Sequence, residues 1–337
     1  MNRTTLAREV ELFERQGYVI LEGLLDQETD LQPVLGEYST VLDRLAGGWL
    51  TEGKIASYDP QQPVLDRMLQ VMRETQGACH QHFDISLPLD AIREDTPMHL
   101  GPAVFGLMRN PRLLDAVQAF IGPEIYSNPI QHVRVKPPEG YISEDSRNVL
   151  TAKTFWHQDL GVIAEDADDS NILNVFLPIT ETTEENGCVL VVPGSHRQGL
   201  VHHCRSANSN GIPEALVGTP RIPVILKPGD VLFMNKLTMH ASLPNVSNGV
   251  RWSFDLRYVP TGQPTGRPWF PGFVARSRAN PESELTSYGE WADSWRRARA
   301  TLANRELPRF ARWGPHLVCP FCAEPSAREQ TMAAAVN

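Results

Sequence analysis

The stretch "FWHQDLG", residues 155–161, decides how this chain is read. It sets a histidine and a carboxylate two positions apart inside an otherwise apolar run. On a strand, successive side chains point to opposite faces, so His157 and Asp159 share one face and Trp156 and Gln158 the other. Their Cα atoms would then lie about 6–7 Å apart, close enough for both side chains to converge on one ion. An isolated H-x-D is more often one polar face of a surface strand, so the decision rests on what the rest of the chain supplies.

Working outward, the segments around this stretch have the texture of short strands. "IYSNPIQHVRVK" comes before it, and "NILNVFLPIT", "CVLVVPGS", "IPVILKPGDVLFM" and "RWSFDLRYV" follow, separated by Gly, Pro and Asn turns. This density of strands suggests an all-β barrel or double-sheet jelly roll rather than βαβ units. The N-terminal part reads differently. Leu6, Val10 and Phe13 fall at helical spacing in residues 5–16, with Gly17 as a stop, and "YVILEGLL" follows as a short strand. Residues 62–76 and 111–121 also read as helices, the second with Asn110 as cap and Pro111 in its first turn.

The expected fold is therefore mainly β with peripheral helices, a double-stranded β-helix of the jelly-roll, cupin-like type. The expected organisation is one domain over residues 1–260, helices outside, and a C-terminal arm over 261–337 that packs on it. In that arm Ser287 and Glu290 form a capping-box pattern, and Trp291, Trp295, Ala298 and Leu302 fall on one helix stripe.

Bulk properties narrow the function. The 337 residues are enough for a substantial core, and no apolar run approaches the roughly 18 residues of a membrane span. The first residues lack the apolar core and cleavage site of a signal peptide, and "AAAVN" is not a peroxisomal SKL-type address. A cytoplasmic protein is expected. A net charge of −9 without a concentrated basic block argues against nucleic acid or an anionic membrane as partner. Oligomeric state is open. Cys79, Cys188, Cys204, Cys319 and Cys322 are odd in number, so reduced thiols are the expectation.

A redox metal that must also bind a substrate and oxygen needs open coordination positions, which a two-histidine, one-carboxylate facial set provides. His157 and Asp159 would supply two ligands from one strand, and the third should come from a distant strand. His80, His82 and His99 precede the strand region, and His202 and His203 lie in a polar loop. His240 is better placed, after the turn Pro228-Gly229-Asp230 and an apolar strand. In "RWSFDLRY", Arg251, Ser253, Asp255 and Arg257 share one face, while Trp252, Phe254, Leu256 and Tyr258 share the other. An arginine opening such a strand suits a bidentate contact with a carboxylate, with Ser253 adding a hydroxyl.

Together these features resemble the phytanoyl-CoA dioxygenase family of Fe(II)/2-oxoglutarate oxygenases. The resemblance rests on "WHQD", on "LPITETTEENGCVLVVPGSH", on "PGDVLFMNKLTMHAS", and on the H-x-S of His240 and Ser242 with Arg251 eleven positions after the histidine. "FERQGYVILEGLL" and "LLDAVQAFIGPEI" are similar to its N-terminal elements, so the likeness spans roughly residues 10–260. It implies that His157, Asp159 and His240 bind Fe(II). It further implies that Arg251, helped by Ser242 or Ser253, binds the distal carboxylate of 2-oxoglutarate, and that O2 is the second cosubstrate. Gln131, Thr154 and Asn174 are candidates for orienting the oxo-acid end.

Halogenating relatives lack the carboxylate, so Asp159 favours hydroxylation of an unactivated C–H bond, with succinate and CO2 as coproducts. The substrate would be a small molecule, with secondary metabolism favoured over an acyl-CoA thioester. Desaturation, cyclisation or epoxidation would use the same cofactors, and a non-catalytic metal-binding jelly-roll sensor is the rival of another class. After Pro260, Trp269, Phe270 and Phe273 are candidates for touching substrate. "HLVCPFC", residues 316–322, holds a C-x-x-C, but zinc wants four ligands and no second pair lies nearby in sequence.

Overall fold

The computed structural model describes residues 3–89, 91–148, 150–205, 210–306, 312–313 and 320–322. Helix α1 (Arg3–Gln16) ends at Gly17, whose amide bonds back to the Phe13 carbonyl and whose φ of +82° suits glycine. A Cβ there would come within 2.6 Å of both the His196 ring and the Thr238 hydroxyl, so only glycine turns the chain into β1 (Tyr18–Leu21) at this point. Next come α2 (Gln32–Thr51), α3 (Val64–Glu74), α4 (Pro102–Met108) and α5 (Pro111–Ile121). Asn110 caps α5 through bonds from the Arg112 and Leu113 amides. Helix α2 was not anticipated: its buried residues Val34, Tyr38, Val41, Leu42, Ala46 and Trp49 are at helical spacing, but Pro33 and three glycines obscure the pattern.

The strands that follow are β2 (Ile125–Ser127), β3 (His132–Lys136), β4 (Thr154–His157), β5 (Leu173–Pro178), β6 (Val189–Val191), β7 (Cys204–Arg205) and β8 (Asn210–Gly211). Then come β9 (Ile222–Val224), β10 (Val231–Asn235), β11 (His240–Ser242), β12 (Arg251–Pro260), β13 (Phe273–Arg276) and finally α6 (Tyr288–Leu302). They form a seven-stranded antiparallel sheet in the order β1-β10-β5-β12-β2-β13, in which β3 also pairs with β12, and a four-stranded sheet β4-β11-β6-β9. This is the jelly-roll arrangement expected, as an open pair of sheets: among the described residues no ladder closes a barrel. The segment after Pro260 contributes β13, which pairs with β2 inside the large sheet.

Strand β12 is the spine of the molecule. Its first half pairs with β3, its second with β2, and β5 runs along its other side. Trp252, Phe254, Leu256 and Tyr258 all point into the main core with the helices. Tyr38 of α2 packs edge-on against Trp252 at 4.9 Å between ring centroids, and the Tyr258 hydroxyl donates to the Met108 carbonyl at 2.7 Å. Helix α6 adds Trp291 and Trp295 to this core, and Ser287 caps it by accepting from the Glu290 amide. The opposite face of β12, Arg251 to Arg257, is left for the space between the sheets. No helix among the described residues is long and apolar enough to cross a membrane. Removing the Trp252 ring would open a large void behind that face. Trp252→Ala is expected to cost about 3–5 kcal/mol, read as a lowered urea midpoint with little change in slope.

Candidate metal and anion site

His157 and His240 are directly opposite one another in the β4–β11 ladder. Cross-strand pairing therefore brings their rings together, 4.1 Å apart between centroids. Each ring is oriented in the same way. His157 Nδ1 bonds to the Phe155 carbonyl at 2.8 Å and His240 Nδ1 to the Thr238 carbonyl at 2.9 Å. A carbonyl can only accept, so both rings carry the proton on Nδ1 and present the Nε2 lone pair, the arrangement metal-binding imidazoles use.

The third group differs from expectation in its setting. Asp159 is not on the strand with His157: β4 stops at His157, and Asp159 opens a short 3₁₀ turn over Asp159–Val162. The cause is Gln158, whose buried side chain donates to the carbonyls of Gly199 and Leu237 and accepts from the Val201 amide. That anchor pulls the chain off the ladder and turns the carboxylate back toward the rings. Asp159 Oδ1 ends 3.6 Å from His157 Nε2 and 3.9 Å from His240 Nε2. Ligand atoms of the three residues lie within 4.8 Å of one another, as a shared divalent cation requires.

Asp159 is also 2.8 Å from Nη2 of Arg257. Burial pushes its carboxyl up, but the Arg257 guanidinium and the two imidazoles outweigh burial and hold it well below the usual carboxylate range. Arg257 is itself fixed, Nε to Asn174 Oδ1 at 3.1 Å and Nη1 to the Ile130 carbonyl at 3.1 Å. The His240 imidazole is pushed down to about 4, by burial first and then by His157, which keeps it neutral and free to ligate.

A second charge set lies beside the first. The β12–β3 register sets Arg251 opposite Lys136 and Ser253 opposite Arg134. Arg134 pairs with Asp255. Arg251 and Lys136 are fully buried, and no carboxylate lies within ion-pair distance of either among the described residues. Arg251 Nη1 reaches only the Ser253 hydroxyl at 3.2 Å, and its Nε has no hydrogen-bond partner. Burial lowers the Arg251 guanidinium to about 10, and burial with the neighbouring Arg251 charge holds the Lys136 amine well below its usual value. Lys136 Nζ is taken up by the Ser242 hydroxyl and the Leu243 carbonyl, whereas Arg251 is a buried guanidinium on the cavity wall with no carboxylate in contact, a receptor for an anion.

The candidates from sequence separate accordingly. Thr154, Asn174, Ser242 and Arg251 line one cavity with the His-Asp-His cluster. Ser242 is already engaged, accepting from Lys136 Nζ at 2.8 Å and sharing a 2.8 Å bond with the Thr154 hydroxyl. Asn174 keeps a buried Nδ2 without a partner. Ser253 lies behind Arg251 rather than on the cavity wall, and Gln131 is buried outside it. Of the aromatic candidates after Pro260, Phe270 lies tilted against Trp295 of α6 at 5.4 Å and Phe273 against Phe105 of α4 at 5.3 Å, and all three, Trp269 included, pack on the main core rather than line this cavity. Arg134, Lys136 and Arg257 were not expected at the site. The alternation in "HVRVK" and "RWSFDLRY" carried the signal.

Two facing antiparallel sheets with a His-Asp-His cluster and a buried arginine between them define a non-haem, 2-oxoglutarate-dependent oxygenase. Residues 13–253 match the phytanoyl-CoA dioxygenase family, and the chain belongs to it. Among relatives, a 1-deoxypentalenic acid 11-beta-hydroxylase of Streptomyces arenae is 25% identical over 76% of this chain and 83% of its own. The peroxisomal phytanoyl-CoA dioxygenase of Rattus norvegicus is 25% identical over 76% and 69%. A probable phytanoyl-CoA dioxygenase of Caenorhabditis elegans is 29% identical, and there the match spans about half of that protein, 51%. Among solved structures, the apo form of the non-heme monooxygenase ThoJ superposes with a TM-score of 0.52 at 18% identity, over 87% of this chain and 97% of that one.

Because Arg257 both neutralises and aims Asp159, Arg257→Gln is expected to weaken Fe(II) binding about 10–100-fold in anaerobic titration. The buried carboxylate left without its partner should also lower stability by about 3–5 kcal/mol.

Proposed function

We propose that the protein hydroxylates an unactivated C–H bond of a small molecule, with His157, Asp159 and His240 holding Fe(II) and Arg251 anchoring 2-oxoglutarate. The observation that carries this reading is the buried Arg251, without a carboxylate partner, on the wall of one cavity with three convergent candidate metal ligands. A hydrolase or isomerase on the same scaffold has no need of such an anion receptor. Fe(II) bound there with 2-oxoglutarate supplies the oxidation of the substrate, with succinate and CO2 as coproducts.

The chain's own residues do the rest. Asp159 arrives ionised, because Arg257 stabilises its charge before any metal binds. With Fe(II) bound, its carboxylate would serve as a ligand where a halogenating relative would need room for a halide, which favours oxygen insertion over halogenation. Arg251, aimed by Ser253, takes the distal carboxylate of the cosubstrate. Asn174 Nδ2 is a free donor for the oxo-acid end, and Thr154 with Ser242 lines the space between. Phe176 and Val189 supply apolar wall that keeps bulk water from the reacting centre. Relatives named for 1-deoxypentalenic acid and for ectoine support a small molecule of this kind, in secondary metabolism.

With Fe(II), ascorbate and 2-oxoglutarate the purified protein is expected to release succinate slowly, and faster with substrate. Arg251→Ala should weaken anaerobic 2-oxoglutarate binding to the Fe(II) form by about 30–100-fold, the worth of a charge-assisted bidentate contact. Unchanged affinity in that variant, or no binding by the wild type, would sink the proposal.

A further inference from the structure

The C-x-x-C of residues 319–322 has no second cysteine pair near it in sequence, but the fold brings other donors to Cys322. His202 and Cys204 come from the segment leading into β7, and ligand atoms of His202, Cys204 and Cys322 lie within 4.8 Å of one another. The expectation of unpaired thiols is corrected here: Cys204 and Cys322 are joined by a disulfide, Cα to Cα 5.4 Å, across 118 residues. Cys79 and Cys188 are free and buried. A disulfide alone needs no imidazole beside it. One nitrogen and two sulfurs, all half-buried and open to solvent, are the donor set of a zinc site.

We propose that in the thiol state His202, Cys204 and Cys322 bind one Zn(II) ion, separate from the iron site, which staples the C-terminal segment to residues 202–204, the segment that packs against the loop carrying Asp159. Cys319 lies outside the described residues. The proposal stands on the other three, with water as the fourth donor. Opening the bridge consumes two electrons and two protons and yields two thiols: a dithiol supplies both and becomes a disulfide, whereas a phosphine supplies the electrons and becomes the phosphine oxide, with water giving the oxygen and the protons. Zinc then displaces the two thiol protons. Two Zn–S bonds of about 2.3 Å at a tetrahedral angle put the sulfurs about 3.8 Å apart, a separation that rotation of the two side chains can supply.

The surroundings show what the staple would hold. Trp313 stacks on the His203 ring at 5.0 Å, packs against His202 at 4.9 Å, and donates from Nε1 to the Gly161 carbonyl at 2.6 Å. His203 Nε2 in turn accepts from the Gln158 amide at 2.9 Å. A Cβ on Gly161 would come 2.4 Å from the His203 ring, so the loop and the ring are in tight contact. The C-terminal segment is thus keyed to residues 158–161 by stacking and hydrogen bonding, and the ligand cluster lies next to that key.

Cobalt(II) reads the site independently of iron chemistry, because thiolate-to-cobalt charge transfer in the near ultraviolet cannot arise from a His-Asp-His cluster. Protein reduced with a phosphine and titrated anaerobically with Co(II) is expected to develop this band and to lose it when one equivalent of Zn(II) is added. Cys204→Ser and Cys322→Ser should abolish the band, and His202→Ala should weaken it, with far-ultraviolet circular dichroism unchanged in each. Absence of the band in the reduced wild type overturns the proposal. Its persistence in both serine variants does so too, since the thiolates would then be elsewhere.

Discussion

The ion pair between Asp159 and Arg257 is the contact on which the arrangement of the site depends. It crosses from the turn after β4 in the small sheet to the middle of β12 in the large one. Burying two charges costs several kcal/mol each, which attraction offsets only if the remaining donors are satisfied. Here Arg257 spends its other N–H groups on Asn174 and the Ile130 carbonyl, so the guanidinium is held in one orientation. The pair ties the sheets together and ionises Asp159 in advance. A second tie runs parallel to it, from Lys136 on β3 through Ser242 on β11 to Thr154 on β4.

The chemistry follows from how the two faces of β12 are used. Its aromatic face is buried among the helices, which fixes the strand in depth and rotation. Its charged face is thereby forced into the gap between the sheets, where water cannot screen it. Asp255 is satisfied locally by Arg134, and Asp159 by Arg257. Arg251 remains, without a carboxylate in contact, on the cavity wall with the three candidate metal ligands. A cluster that can hold a cation beside a buried guanidinium suits a metal-chelating oxo-acid.

Much of this was legible in the order of residues, and the failures have identifiable causes. His157, His240 and Arg251 stood out because the H-x-D, the turn before His240 and the interval to Arg251 are local or regular patterns. Asp159 was legible as a residue but not in its geometry: strand alternation was assumed, and the Gln158 side chain breaks it. Helix α2 was passed over because glycines interrupt an otherwise regular period. Trp269, Phe270 and Phe273 pack on the main core, Phe270 against Trp295 of α6 and Phe273 against Phe105 of α4, a placement that depends on helix docking and not on the loop's own sequence.

By itself the sequence determined the alternation of β12, the class of fold, the family, and His157, Asp159 and His240 as the candidate ligands that the structure brings together. These depend on periods of two or 3.6 residues and on short intervals, which the covalent chain imposes directly. Only the tertiary structure decided that Arg257 faces Asp159, that Lys136 lies beside Arg251, and that Cys204 meets Cys322. Those contacts depend on strand register and sheet packing between segments dozens of residues apart or more. Register is set by the sum of core contacts, so no single stretch of sequence, "FWHQDLG" included, contains it.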